Sequence, residues 1–231
     1  MLAPAQLLPR VIEIAELAGA VILEHYAAGT TVKTKADASP VTAADEAGEA
    51  VILAALRELT PDVPIVAEEA VAAGRIPDVG DAPFWLVDPL DGTKEFISGS
   101  GEFTVNIGLI EHRMPILGVV LAPARGLVWW GAVGLGAQRR EDGTVRPIQV
   151  RPRPAEAAVA VASRSHRDAA TDAWLQAEGI TDTVSAGSSL KFCLVAEGKA
   201  DVYPRFGPTI EWDTAAGDAV LRAAGGRVLT T

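Results

Sequence analysis

The stretch Trp85-Leu86-Val87-Asp88-Pro89-Leu90-Asp91-Gly92-Thr93 decides how this chain reads. Residues 84–87 form a short apolar run of the buried-strand type, and the run stops at an acid, Asp88. Pro89 suits a turn and frees the Leu90 carbonyl to face inward. Gly92 lets the backbone approach a ligand closely. The Gly92 and Thr93 amides then open a short helical segment over 93–98, where free N–H groups attract anions. Carboxylates, a carbonyl and amides are therefore concentrated in one short segment. Isolated Asp-Pro and Asp-Gly pairs are ordinary turn formers. The segment gains meaning from acids elsewhere in the chain.

Those acids also sit where apolar runs end. Glu68, followed by Glu69, closes Ile65-Val66-Ala67, and Asp213 follows Trp212 ahead of an Ala-rich helix. Side chains at strand ends project from a rigid frame into a shared crevice. Carboxylates gathered there repel one another unless cations neutralise them or some take up protons. Magnesium prefers such oxygens and keeps several waters. Two such ions about 3.5–4 Å apart hold a phosphoryl group, activate a water and stabilise a leaving oxygen.

The flanking sequence predicts layered α/β architecture. Helical spacing marks 7–26, and a second helix begins near Pro40 with Thr42 as N-cap and Asp45 in the capping-box position. A short strand at 63–67 precedes the central one. Strands over 103–110, 116–121 and 127–133 make an antiparallel meander, turning first at Glu111-His112-Arg113. A Pro/Arg-rich, extended stretch over 146–154 separates two subdomains, 1–147 and 148–231. The second reads as a strand (157–162), helices (167–178 and 190–197), a short strand (201–203) and a helix (214–224) closed by Gly225-Gly226.

Composition narrows the function. The 231 residues are 49% hydrophobic, enough for a well-buried interior. Thirty acidic against 20 basic residues give a net charge of -10, which argues against a groove for duplex nucleic acid. A phosphorylated small molecule then needs local cations, and bound metals are one source. The single cysteine, Cys193, permits no intrachain disulfide and lies in an apolar helical stretch, as a core residue does. Without a Cys/His cluster there is no case for zinc. His25 and His112 read as helix-end and turn residues, and the Trp129-Trp130 pair reads as packing. No basic stretch leads into a long apolar run near the start, and no apolar run is long enough for a membrane span, so a cytoplasmic protein is expected, with peripheral inner-membrane association left open.

Glu68-Glu69, Asp88 to Thr93, and Trp212-Asp213-Thr214-Ala215-Ala216-Gly217-Asp218 resemble the motifs of the lithium-sensitive, magnesium-dependent phosphatases of the inositol monophosphatase superfamily. Within it the chain looks similar to the CysQ family of adenosine 3',5'-bisphosphate nucleotidases. That narrower likeness is carried by 85–97, Gly101-Glu102-Phe103-Thr104-Val105-Asn106-Ile107, Ser163-Arg164-Ser165-His166, 187–198 and Tyr203-Pro204-Arg205-Phe206-Gly207. The resemblance implies an α-β-α-β-α sugar-phosphatase-like fold with mixed sheets. It implies two or three magnesium ions: Glu68, Asp88 and the Leu90 carbonyl hold the first, Asp88, Asp91 and Asp213 the second, and Glu68 a looser third through water. Thr93, paired with Asp45, positions and helps deprotonate the attacking water, while the Gly92 and Thr93 amides grip the phosphate. Lithium inhibits by entering a weak magnesium site.

For the substrate, the resemblance implies that Lys191 and Arg205, with Ser188 one turn before Lys191, pair with a second phosphate that is not cleaved, and that His166 contacts the nucleoside. An inositol or sugar monophosphatase shares every metal ligand and differs only between His166 and Arg205. A non-catalytic, metal-dependent nucleotide sensor is the reading from another class. The family includes monomers and homodimers. It also continues through a further strand after Gly225-Gly226, whereas this sequence ends at Thr231; either the terminus is short or part of the natural chain is absent.

Overall fold

The computed structural model describes residues 2–29, 32–34, 40–154, 157–163 and 168–230. Helix α1 (Pro4–Ala28) forms where Leu7, Val11, Ile14, Ala18 and Ile22 recur at helical spacing, and all of them bury. A short antiparallel ladder follows, β1 (Val32–Thr34) against β2 (Pro40–Thr42). Helix α2 (Ala43–Leu59) starts with the expected box: Thr42 Oγ1 accepts from the Ala44 amide at 3.2 Å, and Asp45 Oδ2 accepts from the Thr42 amide at 2.8 Å.

Next come β3 (Ile65–Ala67), α3 (Glu68–Ala72), β4 (Phe84–Asp91), α4 (Thr93–Ile97), β5 (Thr104–Glu111), β6 (Met114–Ala122), β7 (Leu127–Ala132), β8 (Gly136–Glu141) and β9 (Thr144–Ile148). These strands make one seven-stranded sheet in sequence order. Only β3 and β4 run parallel, and the rest is the antiparallel meander. The hairpin turn between β5 and β6 places His112 and Arg113 both at positive φ, 49° and 61°, which matches the twist of the strands it joins.

Beyond the sheet lie β10 (Val159–Ser163), α5 (Ala169–Ala177), β11 (Asp182–Ala186), α6 (Leu190–Ala196) and α7 (Glu211–Ala223). One face of the large sheet packs Trp85, Val87, Ile107 and Leu109 on α1 and α2. The opposite face carries Val120 and Trp129 against Phe192, Ala216 and Val220 of α6 and α7. Helix α7 comes so close that a Cβ on Gly118 would stand 2.3 Å from the Ala216 carbonyl oxygen. Strands β10 and β11 pair in parallel, α6 lies against β10, and Leu175 of α5 covers Ala160. The stacking is therefore α-β-α-β-α, as the resemblance implies. Cys193 is fully buried in the α6–α7 core, and Trp129 packs there too. Among the described residues no helix is long and apolar enough to cross a membrane.

Several expectations need correcting. Strand β4 does not stop at Asp88 but runs on to Asp91, with a register irregularity against β5 between those two acids. Helix α7 starts at Glu211, so Asp213 lies inside its first turn, where its carboxylate accepts from the Ile210 amide at 3.4 Å. The stretch 201–203 forms only an isolated bridge, Ala160 to Val202. Conversely, β8, β9 and β11 form where no strand is expected from the sequence. Their exposed faces carry Arg, Glu, Thr and Asp, and backbone pairing supplies what hydrophobic alternation does not.

Candidate active site

The site gathers at the end of β4, where the strand passes into α4. Asp88 is 1% exposed and accepts from the Leu90 amide at 3.0 Å, so the chain turns around its own carboxylate. Gly92 sits at φ 91°, a conformation that penalises any side chain. A Cβ there would also come within 3.3 Å of the Glu102 carbonyl, the Glu95 carboxylate and the Ser188 Cβ. The Thr93 hydroxyl has Asp45 Oδ1 at 3.3 Å and the Leu90 carbonyl at 3.4 Å as acceptors. Asp45 is itself clamped, since its Oδ2 takes both the Thr42 amide and the Thr42 hydroxyl.

Glu68 opens α3 (Glu68–Ala72), whose first amides have no partner within the helix. The buried Glu49 of α2 reaches across to accept from the Glu69 amide at 2.7 Å, which fixes the corner carrying Glu68. Asp213 arrives from α7. Ser189, 1% exposed, ties the pieces together: its hydroxyl lies 3.0 Å from Asp91 Oδ2 and 3.0 Å from the Asp213 carbonyl, and donates its one proton to either.

Charge crowding shows in the acids. Burial raises Asp88 well above the usual carboxylate range, and the charges of Glu68, Asp91 and Asp213 push further in the same direction. Asp91 is raised by burial, opposed by Lys191 and the Ser189 hydrogen bond. Asp213 is raised to about 7 by burial and then by Asp91. Asp45 is raised by burial, against the two bonds from Thr42.

The donor chemistry suits magnesium: carboxylate and carbonyl oxygens, with no sulfur or imidazole among them. Opposite Asp88 in the β4–β5 ladder lies Asn106, and opposite Asp91 lies Thr104. Both are fully buried, and among the described residues nothing bonds the Asn106 amide or the Thr104 hydroxyl. Among the described residues, no three His, Cys, Asp or Glu side chains form a finished cation-holding cluster. The four acids face one another electrostatically without closing on a single point.

The acids open into a cavity of about 650 Å³ whose lining includes Glu68, Asp91 and Asp213 together with Lys191, Tyr203 and Arg205. Lys191 is 7% exposed, its ammonium lies 5.4 Å from the Tyr203 ring centre, and it donates to the Ser188 carbonyl. Burial lowers its affinity for a proton, with Asp91 and Glu95 opposing. Arg205 is held by the Thr209 hydroxyl at 3.1 Å and the Pro208 carbonyl at 3.0 Å. Ser188 precedes α6 in left-handed backbone, φ 43°, with its hydroxyl buried. His166 lies outside the described residues. Ser189, Glu49 and Glu102 are site residues that sequence reasoning missed. Ser189 stands just before the apolar start of α6, a capping position by sequence, but its hydroxyl makes no capping bond and turns to Asp91 and the Asp213 carbonyl instead.

The inositol monophosphatase family model matches residues 4–231, and the chain belongs to that family. More particularly, the 3'(2'),5'-bisphosphate nucleotidase CysQ of Escherichia coli (strain K12) is 52% identical over 225 residues, 96% of this chain and 89% of that protein. The histidinol-phosphatase of Mycobacterium tuberculosis (strain ATCC 25618 / H37Rv) is 36% identical over 208 residues, 85% of this chain and 76% of that protein. Among solved structures, CysQ from Bacteroides thetaiotaomicron has a TM-score of 0.75 at 40% identity, covering 94% of this chain and 85% of that one. The inositol monophosphatase from Anabaena (Nostoc) sp. PCC 7120 has a TM-score of 0.78 at 31% identity, covering 96% and 82%.

Proposed function

We propose that the chain is a magnesium-dependent phosphomonoesterase, a 3'(2'),5'-bisphosphate nucleotidase that converts adenosine 3',5'-bisphosphate to AMP and phosphate. One observation carries the choice of substrate: besides Lys94 beside the acids on α4, two cations from the far side, Lys191 and Arg205, line the same cavity. A substrate with one phosphate at the acids and a second at the cations uses both ends. The kinship with the CysQ nucleotidases supports the same choice.

Glu68, Asp88, the Leu90 carbonyl, Asp91 and Asp213 would hold two or three magnesium ions. When bound, these supply positive charge to the phosphoryl oxygens and acidify a water. The chain's own groups do the rest. Thr93 passes its proton toward Asp45, whose burial makes it a better base than an exposed aspartate, and accepts one from the attacking water. Lys191 and Arg205 fix the spectator phosphate, which aligns the scissile one against the Gly92 and Thr93 amides. Ser188 contributes by shaping the approach to Lys191, and His166 is assigned the nucleoside contact. Lithium is expected to inhibit by taking a weakly held magnesium position.

The inositol or sugar monophosphatase reading shares the acids but gives the two cations nothing to bind. A purely sensing protein has no use for the Thr93–Asp45 pair. Hydrolysis of adenosine 3',5'-bisphosphate and inositol 1-phosphate, measured side by side with magnesium, separates all three. Preference for the bisphosphate is expected. Preference for the inositol ester, or nucleotide binding with no phosphate released, overturns the reading.

A further inference from the structure

We propose that Glu102 is the positioning residue that sets the recognition end of the cavity, by holding the Gly187–Lys191 segment against the phosphate loop. The proposal rests on the nucleotidase reading for what that segment recognises. The contacts themselves are independent of that reading.

Glu102 is 5% exposed and lies in the connection before β5. Its Oε2 accepts from the Gly187 amide at 2.8 Å, across 85 positions of sequence. Its Oε1 accepts from Arg125 Nη2 at 2.7 Å, a partner supplied by the turn after β6. The two oxygens therefore work in series, since Arg125 anchors the carboxylate and the carboxylate anchors Gly187. Charge-assisted bonds to a buried acid are among the stronger ties a chain can make.

The packing agrees. A Cβ on Gly187 would stand 2.9 Å from Glu95 Cγ, 3.0 Å from the Glu102 carbonyl oxygen and 3.1 Å from Glu102 Cβ, so only glycine fits beside Glu102. The same Glu102 carbonyl closes on Gly92, which Ser188 also abuts. Glu102 thus stands between the loop proposed to grip the scissile phosphate and the loop leading to Lys191.

What it holds is under strain. Ser188 sits at φ 43°, a left-handed conformation that a non-glycine residue keeps only where its surroundings enforce it. Its carbonyl receives the Lys191 ammonium. Releasing Gly187 allows Ser188 to relax, and Lys191 moves with the carbonyl it is bonded to. The distance between the two phosphate positions is then no longer fixed. The predicted consequence is specific: discrimination between a bisphosphate and a monophosphate weakens.

The test compares kcat/KM for adenosine 3',5'-bisphosphate with that for adenosine 3'-phosphate in the unaltered protein and in Glu102→Ala. The preference for the bisphosphate is expected to narrow on the order of tenfold, through KM rather than kcat. The isosteric Glu102→Gln keeps one acceptor, and Gly187→Ala attacks the contact from its other side; both should narrow the preference in the same sense by smaller factors. Amide exchange over 186–191 should rise in each variant while that over 88–97 does not. Parallel loss on both substrates, or an unaltered preference in folded Glu102→Ala or Gly187→Ala, overturns the proposal. Should the unaltered protein show no preference for the bisphosphate, the nucleotidase reading falls, and unchanged exchange over 186–191 would separately remove the strut.

Discussion

Asp88 and Asp91 end a strand flanked on both sides within a seven-stranded sheet, whereas Lys191 and Arg205 hang from a helix beside a two-stranded sheet and from an irregular loop. On the acidic side the frame is tied by specific hydrogen bonds. Asp45 is clamped by Thr42, α3 is capped by Glu49, and Asp88 bonds the chain that follows it. On the cationic side most of β11 is exposed, and Arg205 sits in an irregular loop, where it bonds Thr209 and Pro208 and faces the Asp168 charge at the start of α5. The difference follows from what each end does. Phosphoryl transfer loses rate steeply when reacting groups shift by an ångström, so its residues need a rigid frame. Recognition of a spectator phosphate tolerates looser support, and loops are where such specificity changes. Breaking the acidic side should therefore abolish chemistry, while breaking the cationic side should blur substrate choice.

The largest effect is expected at Asp91. Asp91→Asn keeps the size of the side chain and removes its charge, and turnover should drop by at least a hundredfold, roughly the upper end of what outer partners of metal ligands contribute. Circular dichroism should show an intact fold. Near-normal turnover would refute the assignment of Asp91 to the metal-holding set. Next comes Thr93→Ala, expected to cost on the order of a hundredfold in kcat with little change in KM, as the loss of a proton-transfer partner does. Thr93→Ser, which restores the hydroxyl facing Asp45, should recover most of it; a serine variant as slow as the alanine one argues against proton transfer at this position.

The acids also set a pH slope. Asp213 is raised from its ordinary value of 3.8 to about 7, and Asp88 and Asp91 are raised in the same direction. A carboxyl whose folded value is raised binds protons more tightly folded than unfolded. Its contribution to stability is full below the ordinary value and is lost as pH rises through the folded one. Metal-free protein should therefore melt at falling temperature from pH 5 to pH 8, and magnesium should flatten that slope by stabilising the ionised acids. Melting temperatures with chelator and with magnesium across this range check it. A chelated protein that gains stability toward pH 8 contradicts the crowding of these groups.

The acidic side was also the legible side. Glu68 at the end of β3, Gly92 at a forced turn and the Thr42–Asp45 box all carry local signals that reappear in the fold, whereas Asp213 comes from the first turn of α7 and not from a strand end. The strand through Asp91 was harder to see because Pro89 interrupts the pattern, yet the register irregularity between Asp88 and Asp91 accommodates it. Strands β8 and β9 escaped because Gln138, Arg139 and Arg140 do not read as a strand, although Asp142-Gly143 between them is a strong hairpin signal and both residues have positive φ. The ties of the cationic side could not be read at all. Glu102 meets Gly187 across 85 positions, and nothing in a single sequence pairs them. Between Ser188 and Ser189 the composition is identical, and only the onset of α6 at Leu190 decides which hydroxyl reaches Asp91.

That choice supports the smallest and most discriminating prediction. Ser189 belongs to the cationic side by its place before α6, yet its hydroxyl reaches Asp91 on the acidic side. Its hydrogen bond favours the ionised form of Asp91, so removing it makes that acid hold its proton to higher pH. Ser189→Ala should therefore move the acid limb of the pH–rate profile upward, with a loss of only a few-fold at the plateau, where Asp91 is ionised in either case. Stability should fall by roughly 1–3 kcal/mol, the cost of unpairing a buried group bonded to a charge. Ser188→Ala, one residue away with a buried hydroxyl that none of the described residues bonds, should leave the acid limb in place. If instead the Ser188 variant moved the limb and the Ser189 variant did not, the link between the two sides would run through the neighbouring hydroxyl and the assignment would be reversed.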